Sequence, residues 1–219
     1  MNEPQSVFQS VSMPMFPLGT VLFPHALLPL HVFEPRYRLM TQRVLRGEGG
    51  FGVVLIERGS EVGGGDTRFG VGTVARIVRA QELPDGGYAL ATVGLRRIRV
   101  TRWLAEDPFP RAEVADLDEE PPRAASGVDD TARRARAVDA FAAVCDLHRR
   151  IDPRLPDFPP IADAPAQASY EIAALAPIGP LDAQRVLEVP NAGGRLELLA
   201  ELLDDHARML RQGAGGGLD

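Results

Sequence analysis

The sequence predicts an α+β protein with a β-rich amino-terminal part and a helical carboxy-terminal part. Residues 13–117 are rich in Val, Ile and Gly and alternate apolar with polar side chains, as strands do. Residues 129–211 are rich in Ala, Leu and Arg, with apolar residues at helical spacing. Between them, acids and paired prolines favour extended, solvated backbone, so we expect a linker over residues 118–128. Flexible tails are expected over residues 1–12 and 212–219.

Prolines interrupt the first apolar segment, between Met13 and Val32. Because proline has no N–H donor, we expect the strands here to be short and to lie at sheet edges or bulges. Pro35 then begins a helix, since proline is tolerated at the first helical position, and Gly47 ends that helix.

The rest of the first part predicts a meander. Apolar patterning indicates strands over residues 51–56, 71–83, 88–93, 95–104 and 111–117. The sequence Pro-Asp-Gly-Gly at residues 84–87 is typical of a hairpin turn. Residues 58–68 are polar and glycine-rich, and we expect a loop there.

Helical spacing in the second part predicts four helices, over residues 130–151, 167–176, 181–188 and 195–211. Prolines are concentrated between the first two of them. Because proline disrupts regular structure, residues 153–165 are predicted to form an extended connector.

Composition excludes several classes of function. The formal net charge of −6 disfavours a general nucleic-acid or anionic-membrane binder, because both depend on a basic field. All 24 basic side chains are Arg, which excludes a Walker phosphate loop, a Schiff-base lysine and a Ser-Lys catalytic dyad. With Cys145 as the single cysteine and with neither a leader nor a membrane-spanning apolar run, we expect a cytoplasmic protein. We predict no cofactor.

Two short motifs have plainer interpretations than the chemistry they suggest. Residues 70–75 have the spacing of a dinucleotide fingerprint, but no strand precedes them and no helix follows, so the glycines are expected to relieve a strand start or a bulge. Cys145 and His148 stand three positions apart on a predicted helix, whereas structural and catalytic zinc sites usually have three or four protein ligands. We therefore predict core packing there and no metal site.

A basic strand with one aromatic residue suggests nucleic-acid binding by charge and stacking. It contains Arg96, Arg97, Arg99, Arg102 and Trp103. Arginine on the exposed side of an edge strand also prevents unwanted strand pairing, and the surrounding acids cancel the field. Nucleic acid is therefore the less favoured partner.

Two runs near the amino terminus carry a family resemblance. Residues 14–24, PMFPLGTVLFP, and residues 28–37, LPLHVFEPRY, resemble the opening of the Lon protease amino-terminal domain, the substrate-binding domain of that family. FGVVLI at 51–56, VGTVARI at 71–77 and GLRRIRV at 94–100 follow in family order. In the helical part, DAQRVLE at 182–188 and Arg195-Leu196 are also similar, so the resemblance spans residues 13–211.

This resemblance implies a β-rich, PUA-like barrel followed by a helical bundle. It also implies a stand-alone domain that binds unfolded or tagged polypeptides and that lacks the ATPase and Ser-Lys peptidase modules of a full Lon protease. A separate protease or chaperone is the implied partner, with this chain as an adaptor in protein quality control.

The expected groove lies where an apolar segment meets a charged helix start, at Pro29, His31, Phe33, Arg36 and Tyr37. Extended peptides bind at exposed strand edges and apolar grooves, and residues 59–70 are a candidate rim. Glu34 and Arg36 have two interpretations, as electrostatic support for the helix start or as an anchor at the groove edge. Two other functions stay open: an RNA- or nucleotide-binding module of PUA-like fold, and an enzyme with no recognisable catalytic group.

Overall fold

The computed structural model describes residues 11–47, 49–58, 67–121 and 129–215. The chain divides into two compact units, Met1–Asp118 and Glu119–Asp219. The first is a β unit with one helix, and the regular elements described in the second are all helices. Most of the predicted linker, residues 122–128, and most of the predicted loop, residues 59–66, lie outside the described residues.

The β unit contains six strands and one helix: β1 Val11–Leu18, β2 Leu27–Val32, α1 Pro35–Leu45, β3 Phe51–Arg58, β4 Thr67–Glu82, β5 Tyr88–Trp103 and β6 Arg111–Asp116. The strands form one sheet in the order β2-β5-β4-β3-β1-β6, and β5 also pairs with β6. This extra pairing closes β1, β3, β4, β5 and β6 into a barrel, with β2 attached to the first half of β5. Only the β1–β3 pairing is parallel among the strand pairs described.

Strand β1 corrects one expectation, because it lies inside the sheet and not at an edge. Its first half pairs with β6 up to Pro14, and its second half pairs with β3 from Met15 through Pro17 to Leu18. Each proline therefore stands in a half-strand that has a strand partner on one side. On the other side of that half-strand no described strand is paired, so the missing proline N–H costs no strand-to-strand hydrogen bond there.

Strand β5 corrects a second expectation, since a single strand of 16 residues replaces the two predicted around Gly94. The strand continues through Gly94, whose backbone forms hydrogen bonds with the chain segment that precedes β2. The Gly94 carbonyl accepts the His25 amide at 2.8 Å, and its amide donates to the Ala26 carbonyl at 2.9 Å. A glycine is needed at this position because the backbone of Phe23 passes directly over it.

The glycines at residues 70–75 lie within β4, so no helix follows them to bind a dinucleotide. A Cβ atom on Gly72 would stand 2.2 Å from the Val53 carbonyl oxygen of the neighbouring strand. The pairing of β4 with β5 shifts register between Thr73 and Ala75. Close approach to β3 explains Gly72, and the register shift follows it, whereas a Cβ atom on Gly70 would have open space around it.

The helical unit contains α2 Asp130–Ile151, α3 Pro165–Leu175, α4 Pro180–Glu188 and α5 Ala192–Gly215. Helices α3 and α4 each begin at a proline. Helix α5 begins three residues before the predicted Arg195, because the Asn191 side chain caps it by accepting the Gly194 amide at 2.8 Å. None of the described helices is both long and apolar enough to cross a membrane.

Arg195 lies at the centre of the helical unit and is fully buried. Its guanidinium donates to the Ser169 hydroxyl at 2.9 Å, to the Val189 carbonyl at 3.2 Å and to the Glu119 carboxylate at 2.7 Å. It also lies 4.2 Å above the Tyr170 ring. These contacts offset the free-energy cost of removing the guanidinium charge from water.

Candidate functional site

An apolar groove lies between strand β2 and the first turn of helix α1, with a volume of about 150 Å³. We call it the β2–α1 groove. It is lined by Phe16, Leu18, Pro29, Leu30, His31, Val32, Phe33, Glu34 and Tyr37. This volume is below the roughly 300–1,000 Å³ of ordinary small-molecule sites, so the groove suits single side chains better than a cofactor.

Four of the five residues predicted from the sequence line the groove: Pro29, His31, Phe33 and Tyr37. Arg36 is not part of the lining and lies over the Tyr37 ring, with its guanidinium carbon 4.6 Å from the ring centre. The groove floor, in contrast, includes Phe16, a core residue that the prediction omitted.

The groove follows the edge of strand β2. Successive strand residues point to opposite faces, so lining by all of residues 29–33 places the groove along the strand and not over one face. Among the strands described, β2 pairs with β5 alone and stands at the end of the sheet order. An edge strand of this kind offers backbone donors and acceptors to an added strand.

Aromatic side chains form both the floor and the rim of the groove. On the floor, the buried rings of Phe16 and Tyr37 lie 4.2 Å apart between centroids. On the rim, Phe33 is 49% exposed, and its ring centre lies 5.9 Å from that of His31. Exposed apolar surface over a packed floor is the arrangement found at protein-binding hot spots.

The charged residues at the helix start form an ion-pair chain. Glu34 precedes α1, but its side chain makes no capping hydrogen bond and instead accepts Arg36 Nε at 3.1 Å. Arg36 also lies 3.7 Å from Glu106, which pairs with Arg68 at 2.6 Å. Neither interpretation of this pair, as electrostatic support for the helix start or as an anchor at the groove edge, depends on a capping hydrogen bond, so both stay open. The groove is bordered by a nearly neutral set of paired charges.

Arg38 holds Phe33 in position, a role that the sequence analysis missed. Its Nε donates to the Phe33 carbonyl at 2.7 Å, and its Nη1 donates to the Asp85 carbonyl at 2.9 Å. The Gly87 amide donates to the Asp85 carboxylate, which lowers the pKa of that carboxyl. Through Arg38, which lies 47 positions before Asp85, the hairpin turn thus supports the groove rim, beyond the range of any local sequence pattern.

Acids pair with two of the four arginines on the basic strand that suggested nucleic-acid binding, and Arg99 is exposed. Arg97 is buried and donates to the Asp118 carbonyl. Arg96 pairs with Asp116 at 2.7 Å, and Arg102 pairs with Glu113 and lowers the pKa of that carboxyl. Paired arginines release few counterions on binding phosphate, so this surface gives little support to the nucleic-acid hypothesis. Arg68 also covers the Trp103 ring, at 4.7 Å from the ring centre.

The helical unit contains a second cavity, of about 350 Å³, between α2 and the proline-rich connector. Phe141 and Phe158 contact each other there edge to face, with ring centres 5.2 Å apart. Cys145 faces the same cavity, and burial raises the pKa of its thiol. A raised pKa keeps the sulfur protonated, consistent with the packing role predicted for it.

The fold brings a second histidine, from another helix, next to His148. His148 lies beside His206 of α5, with 3.4 Å between their Nε2 atoms. Burial and the neighbouring His148 lower the pKa of His206. Within the described residues, His, Cys, Asp and Glu form no group of three or more that suits a metal ion.

Comparisons with known proteins agree on one family. A family model described as the ATP-dependent protease La (LON) substrate-binding domain matches residues 12–205. Lon protease of Anaeromyxobacter dehalogenans is 28% identical over 208 residues, covering 91% of this chain and 24% of that protein. Lon protease of Escherichia coli strain K12 is 27% identical, covering 93% of this chain and 26% of that protein. The chain thus spans about a quarter of the length of these relatives.

Solved structures show the same fold. A Lon N-terminal domain protein from Xanthomonas campestris is 27% identical, with a TM-score of 0.60, covering 87% of this chain and 98% of that one. The N-terminal domain of a Mycobacterium avium complex Lon protease is 18% identical, with a TM-score of 0.63, covering 90% of this chain and all of that one. The α+β fold predicted from the sequence is confirmed.

Proposed function

Because the chain belongs to the Lon substrate-binding domain family, we propose that it binds exposed apolar segments of unfolded or tagged polypeptides in the β2–α1 groove. One observation carries the proposal. The half-exposed Phe33 and the packed floor of Phe16 and Tyr37 lie beside a strand edge that pairs with no other described strand. An extended peptide added to this edge would place alternate side chains in the groove.

The size and charge of the groove support an apolar, unfolded ligand. Its volume accommodates individual side chains, and the one acid that lines it, Glu34, is already paired with Arg36. Selectivity then rests on apolar contact and main-chain hydrogen bonds, both of which native proteins keep buried. An adaptor role beside a separate protease or chaperone, in the cytoplasm, is part of this proposal.

Phe33→Ala is expected to weaken binding of an unfolded polypeptide about tenfold, the loss typical of an aromatic contact worth about 1.4 kcal/mol. The free energy of unfolding should fall by less than about 1 kcal/mol, because the side chain is already 49% exposed. The measurement is fluorescence anisotropy of a labelled decapeptide with Leu or Phe at every second position, compared with the same peptide carrying Ser there.

Leu39→Ala is the matched control. Leu39 lies in α1, is 44% exposed and does not line the groove, so its removal should leave peptide affinity unchanged. Apolar binding should also persist in moderate salt, whereas a phosphate-driven complex weakens steeply. Equal affinities for wild type, Phe33→Ala and Leu39→Ala would show that the peptide binds elsewhere.

We also propose that the chain is not an enzyme, and we expect the purified protein to hydrolyse neither nucleotides nor peptide bonds. Its sequence has no lysine for a phosphate loop or a Ser-Lys dyad, and the matched family model is that of the substrate-binding domain. The measurement is ATPase and peptidase activity across the fractions of two successive columns. Activity that follows the protein peak through both columns would contradict the proposal.

A further inference from the structure

Two histidines lie side by side on different helices of the helical unit. His148 is in the last turn of α2, and His206 is in the middle of α5. Their Nε2 atoms are 3.4 Å apart, and their ring centres are 5.3 Å apart at an angle of 53° between the ring planes. Both side chains are partly exposed, so small solutes can reach them.

The separation of the two nitrogens matches that of metal ligands. Zn–N bonds of about 2.0–2.1 Å at a tetrahedral angle of about 109° place two coordinating nitrogens about 3.3–3.4 Å apart. The observed 3.4 Å equals this value. As a direct hydrogen bond the same distance is long, since N–H donors usually lie roughly 2.7–3.2 Å from their acceptors.

We propose that His148 and His206 together bind one late transition-metal dication such as Zn²⁺. Neutral imidazole is a preferred ligand of Zn²⁺, Ni²⁺ and Cu²⁺, whereas Mg²⁺ and Ca²⁺ require oxygen ligands. The bound ion would join α2 to α5 directly.

Water completes the coordination sphere in this proposal. Within the parts of the chain that the structure describes, no third His, Cys, Asp or Glu joins the pair in a metal-binding group. The nearby carboxylates Asp146 and Asp205 are paired with Arg149 and Arg208. Two protein ligands predict modest affinity and rapid exchange of the metal, in contrast to a closed structural zinc site.

Thermal unfolding tests the site. Adding Zn²⁺ to EDTA-treated protein should raise the melting temperature by several degrees, because only the folded state brings the two rings together. Mg²⁺ should have no effect. In His148→Gln and in His206→Gln, the affinity for Zn²⁺ measured by titration calorimetry should fall at least about tenfold. His31→Gln is the matched control, and it should keep both the affinity and the shift.

A spectroscopic measurement on the wild-type protein makes the test independent of how the variants fold. With one equivalent of Cu²⁺, the electron paramagnetic resonance spectrum should show coupling to two imidazole nitrogens. Coupling to fewer than two nitrogens would overturn the proposal. So would a melting temperature that Zn²⁺ leaves unchanged, or a Zn²⁺ shift that persists in both His→Gln variants.

Discussion

Arg195→Ala is expected to destabilise the helical unit by about 3–5 kcal/mol, the cost of emptying the space of a large buried side chain and of losing its interior hydrogen bonds. The guanidinium is fully buried and donates hydrogen bonds to Ser169, Val189 and Glu119. It also covers the Tyr170 ring. Alanine removes all of these contacts and leaves a cavity. Glu119 is partly solvated, so most of the loss comes from the interior groups that lose their donor and their packing.

Arg208→Ala provides the matched control, because it removes the same residue type from the same helix. Arg208 is exposed and pairs with Asp205 one turn away, an interaction worth less than about 0.5 kcal/mol. Urea unfolding followed by circular dichroism at a helical wavelength measures both variants. Similar losses in the two would mean that the buried contacts of Arg195 contribute no more than a surface ion pair. Arg195→Lys should fall between them, since one ammonium cannot replace the planar guanidinium.

Gly94→Ala is expected to destabilise the β unit by about 3 kcal/mol, at the upper end of the usual cost of overpacking. A Cβ atom there would stand 2.1 Å from the Phe23 carbonyl oxygen and 3.2 Å from a methyl carbon of Thr73. The nearer neighbour is backbone, so relief requires the segment between β1 and β2 to move. That movement would break the hydrogen bonds of Gly94 to His25 and Ala26.

Gly70→Ala separates this steric effect from the general effect of replacing a strand glycine. Gly70 also lies in a strand, β4, but a Cβ atom there would have open space around it. Alanine at this position should be neutral or slightly stabilising, because it restricts the unfolded chain. Thermal unfolding of both variants provides the comparison. A midpoint for Gly94→Ala within a degree of that for Gly70→Ala would contradict the close approach of Phe23.

The residues of the groove were predictable because most of them are neighbours in sequence. Pro29, His31 and Phe33 share one apolar, proline-containing segment, and Tyr37 follows within the first turn of a helix that Pro35 begins. Phe16 and Arg38 were missed for different reasons. Phe16 lies on another strand, β1, and only the folding of the sheet places it on the groove floor. The role of Arg38 depends on its hydrogen bond to Asp85, which lies in a turn far along the chain.

Local chemistry in the sequence by itself determined where most of the helices and strands of this protein occur. Apolar periodicity specifies α2 as Asp130–Ile151, prolines begin α1, α3 and α4, and Pro-Asp-Gly-Gly closes the hairpin before β5. These signals act over a few residues, through backbone angles and missing donors, so they are visible without the fold. The absence of lysine is likewise a property of the sequence alone.

Tertiary structure alone decided which distant segments meet. It placed β1 between β3 and β6 despite its prolines, kept β5 continuous through Gly94, and brought His148 to within 3.4 Å of His206 across 58 positions. The physical reason is that strand pairing and helix packing are chosen by the total apolar surface buried and by hydrogen bonds satisfied across the whole unit. No short stretch of sequence encodes that sum, so partners far apart in the chain become evident only in the folded protein.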